Sequence, residues 1–192
     1  MASSGSFSGS IHSGHYVRRV DWTQTKNISA NTSTVTAKAY LVNDWSLSIY
    51  GRSDNSITIN GTAQIYESPA VNGTGKHLLG TVTQTVNHTS DGTKSLNMSA
   101  VFYIRATLSG TYYESITASA NITLDSIARA SSVSTPNATM GSATAIAISR
   151  ASYSFPHTPT YTFGTAAGTI ATKPTSHTVS WPPTLSLANQ HP

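Results

Sequence analysis

Apolar and polar residues alternate along residues 95–124, the most regular pattern in the chain. Ser, Asn and Thr occupy most positions between the apolar ones, which are Leu96, Met98, Ala100, Phe102, Ile104, Ala106 and Leu108, then Ile116, Ala118, Ala120, Ile122 and Leu124. A period of two places such residues on one face of a β-strand. Ser109-Gly110 between the two halves predicts a tight hairpin, since glycine accepts positive φ. The segment is therefore predicted to be a two-stranded ribbon whose apolar face a second sheet must cover.

Shorter segments upstream show the same alternation and predict further strands at residues 6–11, 16–25, 34–42, 45–49, 57–65 and 77–86. Asn60-Gly61 predicts a second hairpin, because a type I′ turn needs positive φ at both central positions. Turns are also predicted at Asn43-Asp44 and at Asp91-Gly92, and loops at residues 52–55 and 67–76. Arg18 lies at an apolar position of its strand and is expected to interrupt that face.

The spacing of strands and turns predicts an all-β protein. Residues 1–130 are expected to form an antiparallel β-sandwich or jelly-roll-like domain. A linker-like stretch at residues 127–136 predicts the boundary. Residues 131–192 are expected to form a small or incomplete second β-domain, because about 60 residues are few for an independent core. Its strands are predicted at residues 143–148, 158–163 and 178–181.

The composition narrows the classes of function. Only 9% of the 192 residues are charged, the net charge is +4, and cysteine is absent, which excludes disulfides, Cys-ligated zinc and a Cys nucleophile. Lys and Arg are scattered, so we expect no binding of nucleic acid. No apolar run reaches the roughly 20 residues of a membrane span, so membrane insertion is not expected. The N-terminus lacks the pattern of a signal peptide, so the protein is expected to be made in the cytoplasm.

The polar residues predict neither a catalytic centre nor a bound cofactor. The seven acidic residues occupy predicted turns, strand ends and polar faces, and no hydrolase, phosphate-loop or dinucleotide motif is present. His12 and His15 are close in sequence, but a metal site needs three or four converging ligands. Solvent-exposed histidines are therefore favoured over a metal site.

Aromatic residues are the remaining candidates for ligand binding, because sugars present apolar C–H patches that stack on aromatic rings. The predicted ligand-binding residues are Tyr103, Arg105, Tyr112, Tyr113, Trp45 and Tyr40. Three of the tyrosines interrupt the polar face of the ribbon near its turn. Trp22 and Trp45 share the parity of core residues, so burial is the competing interpretation for Trp45. Cross-strand aromatic pairing or a subunit contact is the alternative for the tyrosines.

Several segments resemble a family of minor structural proteins from siphophages of Gram-positive bacteria. They are MASSGSFSGS, VDWTQTKNISANTSTVTAKAYL, SITINGT, VNHTSDGTKSL and TLDSIARASS, and the resemblance continues more loosely through ISRASYSFPHTPTYTFG. Members of this family are usually labelled tail, baseplate or receptor-binding (antireceptor) proteins. The shared motifs are turns and alternating strands, so the resemblance transfers no catalytic residue.

The resemblance implies a non-enzymatic virion component of the phage tail that binds the host surface, with cell-wall polysaccharide as the expected ligand. It also implies contacts with other tail or virion proteins, and a homo-oligomer, for which a trimer is one candidate form. A purely structural or decoration module without a ligand is the alternative. A cell-wall hydrolase is the third hypothesis.

Overall fold

A computed structural model describes residues 2–134, 137–139, 141–150, 156–163, 165–172, 174 and 176–183. The regular structure of these residues is β apart from a three-residue 3-10 turn, His12–Gly14, so the predicted all-β antiparallel fold is confirmed. The chain divides into two compact units, residues 1–89 with 93–127 and residues 90–92 with 128–192. No helix among the described residues is long and apolar enough to cross a membrane.

Ten strands form the first unit. In chain order they are β1 (Ser4–Ile11), β2 (Tyr16–Asn27), β3 (Thr32–Ile49), β4 (Arg52–Ile59), β5 (Thr62–Ser68), β6 (Val71–Asn87), β7 (Ser95–Phe102), β8 (Ala106–Leu108), β9 (Thr111–Tyr113) and β10 (Ile116–Thr123). One antiparallel sheet has the order β1-β2-β3-β6 and a second has the order β10-β7-β4-β5, while β8 and β9 form a short hairpin.

The core of this unit is a single apolar cluster supplied by both sheets. The first sheet contributes Val20, Val35 and Leu41, and the second contributes Met98 and Phe102, all fully buried. These residues occupy alternate positions of their strands, so one face of each sheet is apolar. Removing that surface from water is the main favourable contribution to the fold.

The ribbon and its hairpin are confirmed. Strand β7 pairs with β10 from Ser95 to Phe102, and β8 pairs with β9 after an interruption at residues 103–105 and 114–115, which belong to no strand. The turn residues Ser109 and Gly110 have φ of 46° and 85°, as a two-residue type I′ turn requires. The same chemistry closes the predicted β4–β5 hairpin, where Asn60 and Gly61 have φ of 50° and 82°.

The turn predicted at Asn43-Asp44 is wrong, because β3 continues through it as one strand of 18 residues. Asn43 pairs with Gly75 and Leu47 pairs with Gly73, so three residues of β3 lie opposite one residue of β6. The Asn43 side chain donates from Nδ2 to the Trp45 carbonyl at 2.7 Å and to the Gly73 carbonyl at 2.8 Å. Its side chain therefore stabilises a bulge here rather than a reversal of the chain.

The loops predicted at residues 52–55 and 67–76 are also largely strand. Strand β4 begins at Arg52, and β6 begins at Val71. Gly73 and Gly75 have φ of 87° and 127°. Glycine at these two positions lets β6 stay paired through the bulge instead of ending there.

Arg18 does not interrupt the apolar face of β2, because the whole side chain is buried in the core. Its Nη2 donates to the hydroxyl of Tyr66 at 2.7 Å. Within the described part of the chain, Nε and Nη1 of Arg18 have no hydrogen-bond partner. Burial lowers the pKa of Arg18 and raises that of Tyr66, because desolvation disfavours the charged form of each group.

Five strands belong to the described part of the second unit. They are β11 (Ser132–Val133), β12 (Thr144–Ser149), β13 (Thr160–Phe163), β14 (Ala166–Thr169) and β15 (Thr178–Trp181). Strands β11, β12 and β15 form one sheet, and β13 and β14 form a hairpin. Ile146, Ile148 and Val179 are the buried core of this unit. Thr135 and Pro136 of the predicted linker lie outside the described residues.

Candidate functional site

A groove of about 410 Å³ opens in the first unit beside the β8–β9 hairpin. Its lining comes from the last part of β3, the start of β4 and the whole of β8, at residues 46–50, 52 and 105–108. We call it the hairpin groove. Its volume lies within the range of small-ligand sites. Both sheets contribute to it because β3 runs past its bulge to Ile49, and because the ribbon continues beyond β7 as a separate narrow hairpin.

Aromatic rings converge near one side of this groove. The Trp45 ring stacks on His15, with 3.8 Å between the centroids and 19° between the planes. His12 meets the rings of both Trp45 and Tyr113 edge-on, at 5.2 and 5.8 Å. Its Nδ1 lies 3.4 Å from the Tyr113 hydroxyl. We call His12, His15, Trp45 and Tyr113 the aromatic cluster.

A tight turn between β1 and β2 brings the two histidines to the cluster. His12, Ser13 and Gly14 have φ of 51°, 56° and 90°, so three successive residues adopt the left-handed region. His15 then bonds through Nδ1 to Oδ1 of Asp44 at 2.9 Å. The sequence pattern indicated only metal ligation or solvent exposure for these histidines. It missed their packing on Trp45, which depends on the pairing of β2 with β3.

A network of charged groups is centred on Arg105, which lines the groove. Arg105 pairs through Nη2 with Asp54 at 2.7 Å and through Nε with Glu114 at 2.9 Å. The Tyr112 hydroxyl donates to the other oxygen of Glu114 at 2.7 Å. Hydrogen bonds from Tyr112 and Arg105 hold the pKa of Glu114 below its ordinary value. The guanidinium of Arg105 also lies 4.8 Å from the ring centroid of Tyr103, within cation–π range.

Five of the six predicted ligand-binding residues lie at this end of the first unit. Tyr103 contacts Arg105, and Tyr112 and Tyr113 pair across the hairpin with Thr107 and Ala106, two residues that line the groove. Tyr40 is separate from this network. It lies in β3 with the Lys76 ammonium 4.0 Å from its ring centroid, and Lys76 pairs with Asp21.

The competing interpretation of Trp45 as a core residue is wrong, because 46% of the residue is exposed, whereas Trp22 is buried, as its parity indicates. The bulge after Asn43 places Trp45 among residues that have no one-to-one partner on β6. Strict alternation therefore does not hold at Trp45. Tyr112 is also exposed, at 58%, as is the groove-lining Tyr50, at 87%, so three large aromatic side chains at or near the groove are open to solvent.

Two acidic residues of the site, Asp54 and Glu114, were not predicted as site residues. Each was interpreted as an ordinary residue of a turn or a polar face. The available signal was Glu114 next to the Tyr112-Tyr113 pair. Asp54 lies about 50 residues earlier in the chain than Arg105, so only the folded chain brings the two together. Among the described residues, no group of three or more His, Asp or Glu side chains is placed to hold a metal ion.

Comparison with known proteins identifies the family. The model of a family described as "Siphovirus protein of unknown function (DUF859)" matches residues 12–192. The chain therefore belongs to this siphovirus family, and the resemblance to siphophage proteins is confirmed. No curated protein and no solved structure matches the chain.

Proposed function

We propose that this siphovirus protein is a non-enzymatic component of the phage tail that binds polysaccharide of the host cell wall at the hairpin groove. Its membership of a siphovirus family supports a role in the virion. The observation that carries the binding proposal is the exposure of Trp45 and Tyr112 beside a groove lined by Arg52 and Arg105. Aromatic faces and fixed polar groups are the two elements that sugar recognition combines.

Each part of the site has a distinct task in this proposal. The ring of Trp45 stacks on the apolar C–H face of a sugar. The network of Asp54, Arg105 and Glu114 offers hydrogen-bond donors and acceptors to the hydroxyl groups. These charged side chains already pair with one another, so little conformational entropy is lost when the ligand binds.

The test is retention of the purified protein on purified walls of the host bacterium. Trp45→Ala is expected to lower the affinity about tenfold or more, as loss of a central aromatic contact does at other interfaces. Tyr40→Ala is the matched control, because it removes a large aromatic from the same strand but away from the groove. A loss in Tyr40→Ala equal to that in Trp45→Ala would move the binding site to the surface around Lys76.

A structural or decoration module of the tail is the second candidate. The long, regular β-pairing of the first unit supports it. This candidate predicts no retention on any wall preparation, together with stable incorporation into the virion. A cell-wall hydrolase would instead clear a zymogram of host walls, and we expect no clearing.

The proposed location and partners need separate measurements. Labelling of purified virions with antibody against this protein, viewed by electron microscopy, tests the tail location. Light scattering after size-exclusion chromatography tests the homo-oligomer, for which we propose a trimer. Cross-linking of intact virions tests contacts with other virion proteins.

A further inference from the structure

Trp45 is held against the protein by one face of its ring. The His15 imidazole lies nearly parallel to the indole at a centroid distance of 3.8 Å. Oδ1 of Asp44 accepts a hydrogen bond from Nδ1–H of His15 at 2.9 Å, which fixes the orientation of the imidazole. A parallel ring at this distance covers one face of the indole and leaves no room for a ligand ring on that side.

The opposite face of Trp45 is not covered by the other histidine. The centroids of Trp45, His15 and His12 are separated by 3.8, 5.2 and 6.0 Å, the last distance joining the two imidazoles. These distances form a nearly right-angled triangle at Trp45, so His12 lies beside the edge of the indole. If His12 covered the opposite face, the distance between the two imidazole centroids would be nearly the sum of the Trp45–His15 and Trp45–His12 distances. The observed 6.0 Å is much shorter.

The backbone that carries Trp45 is also fixed. Asn43, buried at the start of the bulge, donates to the Trp45 carbonyl and to the Gly73 carbonyl. The hydroxyl of Tyr16 donates to the carbonyl of Ser46 at 3.3 Å. The protein therefore anchors the backbone carbonyls of Trp45 and Ser46 in the bulge, while 46% of Trp45 stays exposed.

We propose that His15 is a positioning residue that presents the free face of Trp45 to a ring with an apolar face, such as a pyranose. The inference rests on the proposed function and adds the residue that makes the site rigid. Without the imidazole, Trp45 could adopt several rotamers, and binding would have to order it. That cost lowers affinity even though His15 does not touch the ligand.

The experiment compares His15→Ala, His15→Phe, Trp45→Ala and the double variant His15→Ala/Trp45→Ala for retention on purified host walls. Thermal melts confirm that each variant is folded. We expect His15→Ala to bind about fivefold more weakly than the parent, the order of effect of ordering one side chain. His15→Phe should restore most of the affinity, because phenylalanine keeps the stacked ring without the bond to Asp44.

The double variant separates positioning from direct contact. If His15 acts only through Trp45, the double variant binds no more weakly than Trp45→Ala alone, since the two losses share one cause. Parent-like binding by His15→Ala, or additive losses in the double variant, would overturn the positioning role and leave the wall-binding proposal intact. Failure of the parent itself to bind walls would overturn both.

Discussion

Arg18 and Arg105 lie beside a tyrosine in the same unit, yet their surroundings are opposite. Arg18 is buried, its guanidinium lies 5.8 Å from the ring centroid of Tyr66, and its only hydrogen bond among the described residues is to the hydroxyl of that tyrosine. Arg105 is exposed, lies 4.8 Å from the ring centroid of Tyr103, and pairs with two carboxylates. An arginine beside a tyrosine can thus belong either to the buried core or to a candidate binding surface.

This difference distinguishes residues that stabilise the first unit from residues that are proposed to bind a ligand. Burying a charge without a carboxylate partner carries a large desolvation cost, which only close packing and the bond to Tyr66 offset. Exposed ion pairs contribute little to stability because water and salt screen them. We therefore expect substitutions at Arg18 to affect folding, and substitutions at the groove to affect binding.

The largest expected effect is at Arg18. Arg18→Ala should lower the free energy of unfolding by about 3 kcal/mol, because it leaves a cavity and an unpaired Tyr66 hydroxyl. Arg18→Met fills most of the volume without a charge and should stay within about 1 kcal/mol of the parent. Urea denaturation measures both.

Arg105→Ala is the matched control, and its denaturation midpoint should equal that of the parent. A midpoint for Arg105→Ala as low as that for Arg18→Ala would remove the distinction between the two arginines.

The second-largest expected loss of stability is at Gly80. Because glycine has no side chain, it leaves space for the ring of Tyr66, which bonds to Arg18. A Cβ at this position would overlap the Tyr66 ring, so Gly80→Ala should cost about 2 kcal/mol through displacement of that ring. Replacing Tyr66 with Ala should remove most of this cost, as a double-mutant cycle would show. If Gly80→Ala destabilised the protein equally with and without the Tyr66 ring, the close approach of that ring would not be the reason for glycine at position 80.

The smallest effect concerns Glu114. Its pKa is depressed in the folded protein, so its contribution to stability is present above the ordinary glutamate value near 4.3 and is lost as pH falls through the lower folded value. Glu114→Gln should remove this part of the acid dependence, so its midpoint should fall slightly below that of the parent at pH 7 and approach the parent value at low pH. If the denaturation midpoints of parent and variant changed with pH in parallel, the ion pair between Glu114 and Arg105 would have no effect on stability.

The ribbon and the two hairpins could be predicted because their signals are local. Alternation with a period of two and a dipeptide such as Asn60-Gly61 act within a few residues. Tyr112 and Tyr113 could be placed on the ribbon for the same reason, since they lie beside a recognisable turn; their role in binding stays a prediction. The turn predicted at Asn43 was wrong because the same side chain that favours a turn can stabilise a bulge when a partner strand is present.

The sequence by itself determined the all-β class, the apolar face of the ribbon and the positions of its turns, because backbone periodicity and turn chemistry depend on near neighbours. Only the tertiary structure decided that Arg18 is buried while Trp45 is exposed, since one depends on Tyr66 and Gly80 and the other on a bulge opposite β6. The convergence of Asp54, Arg105 and Glu114 was also a tertiary outcome. Contacts between distant segments are specified by strand pairing, which local patterns constrain only weakly.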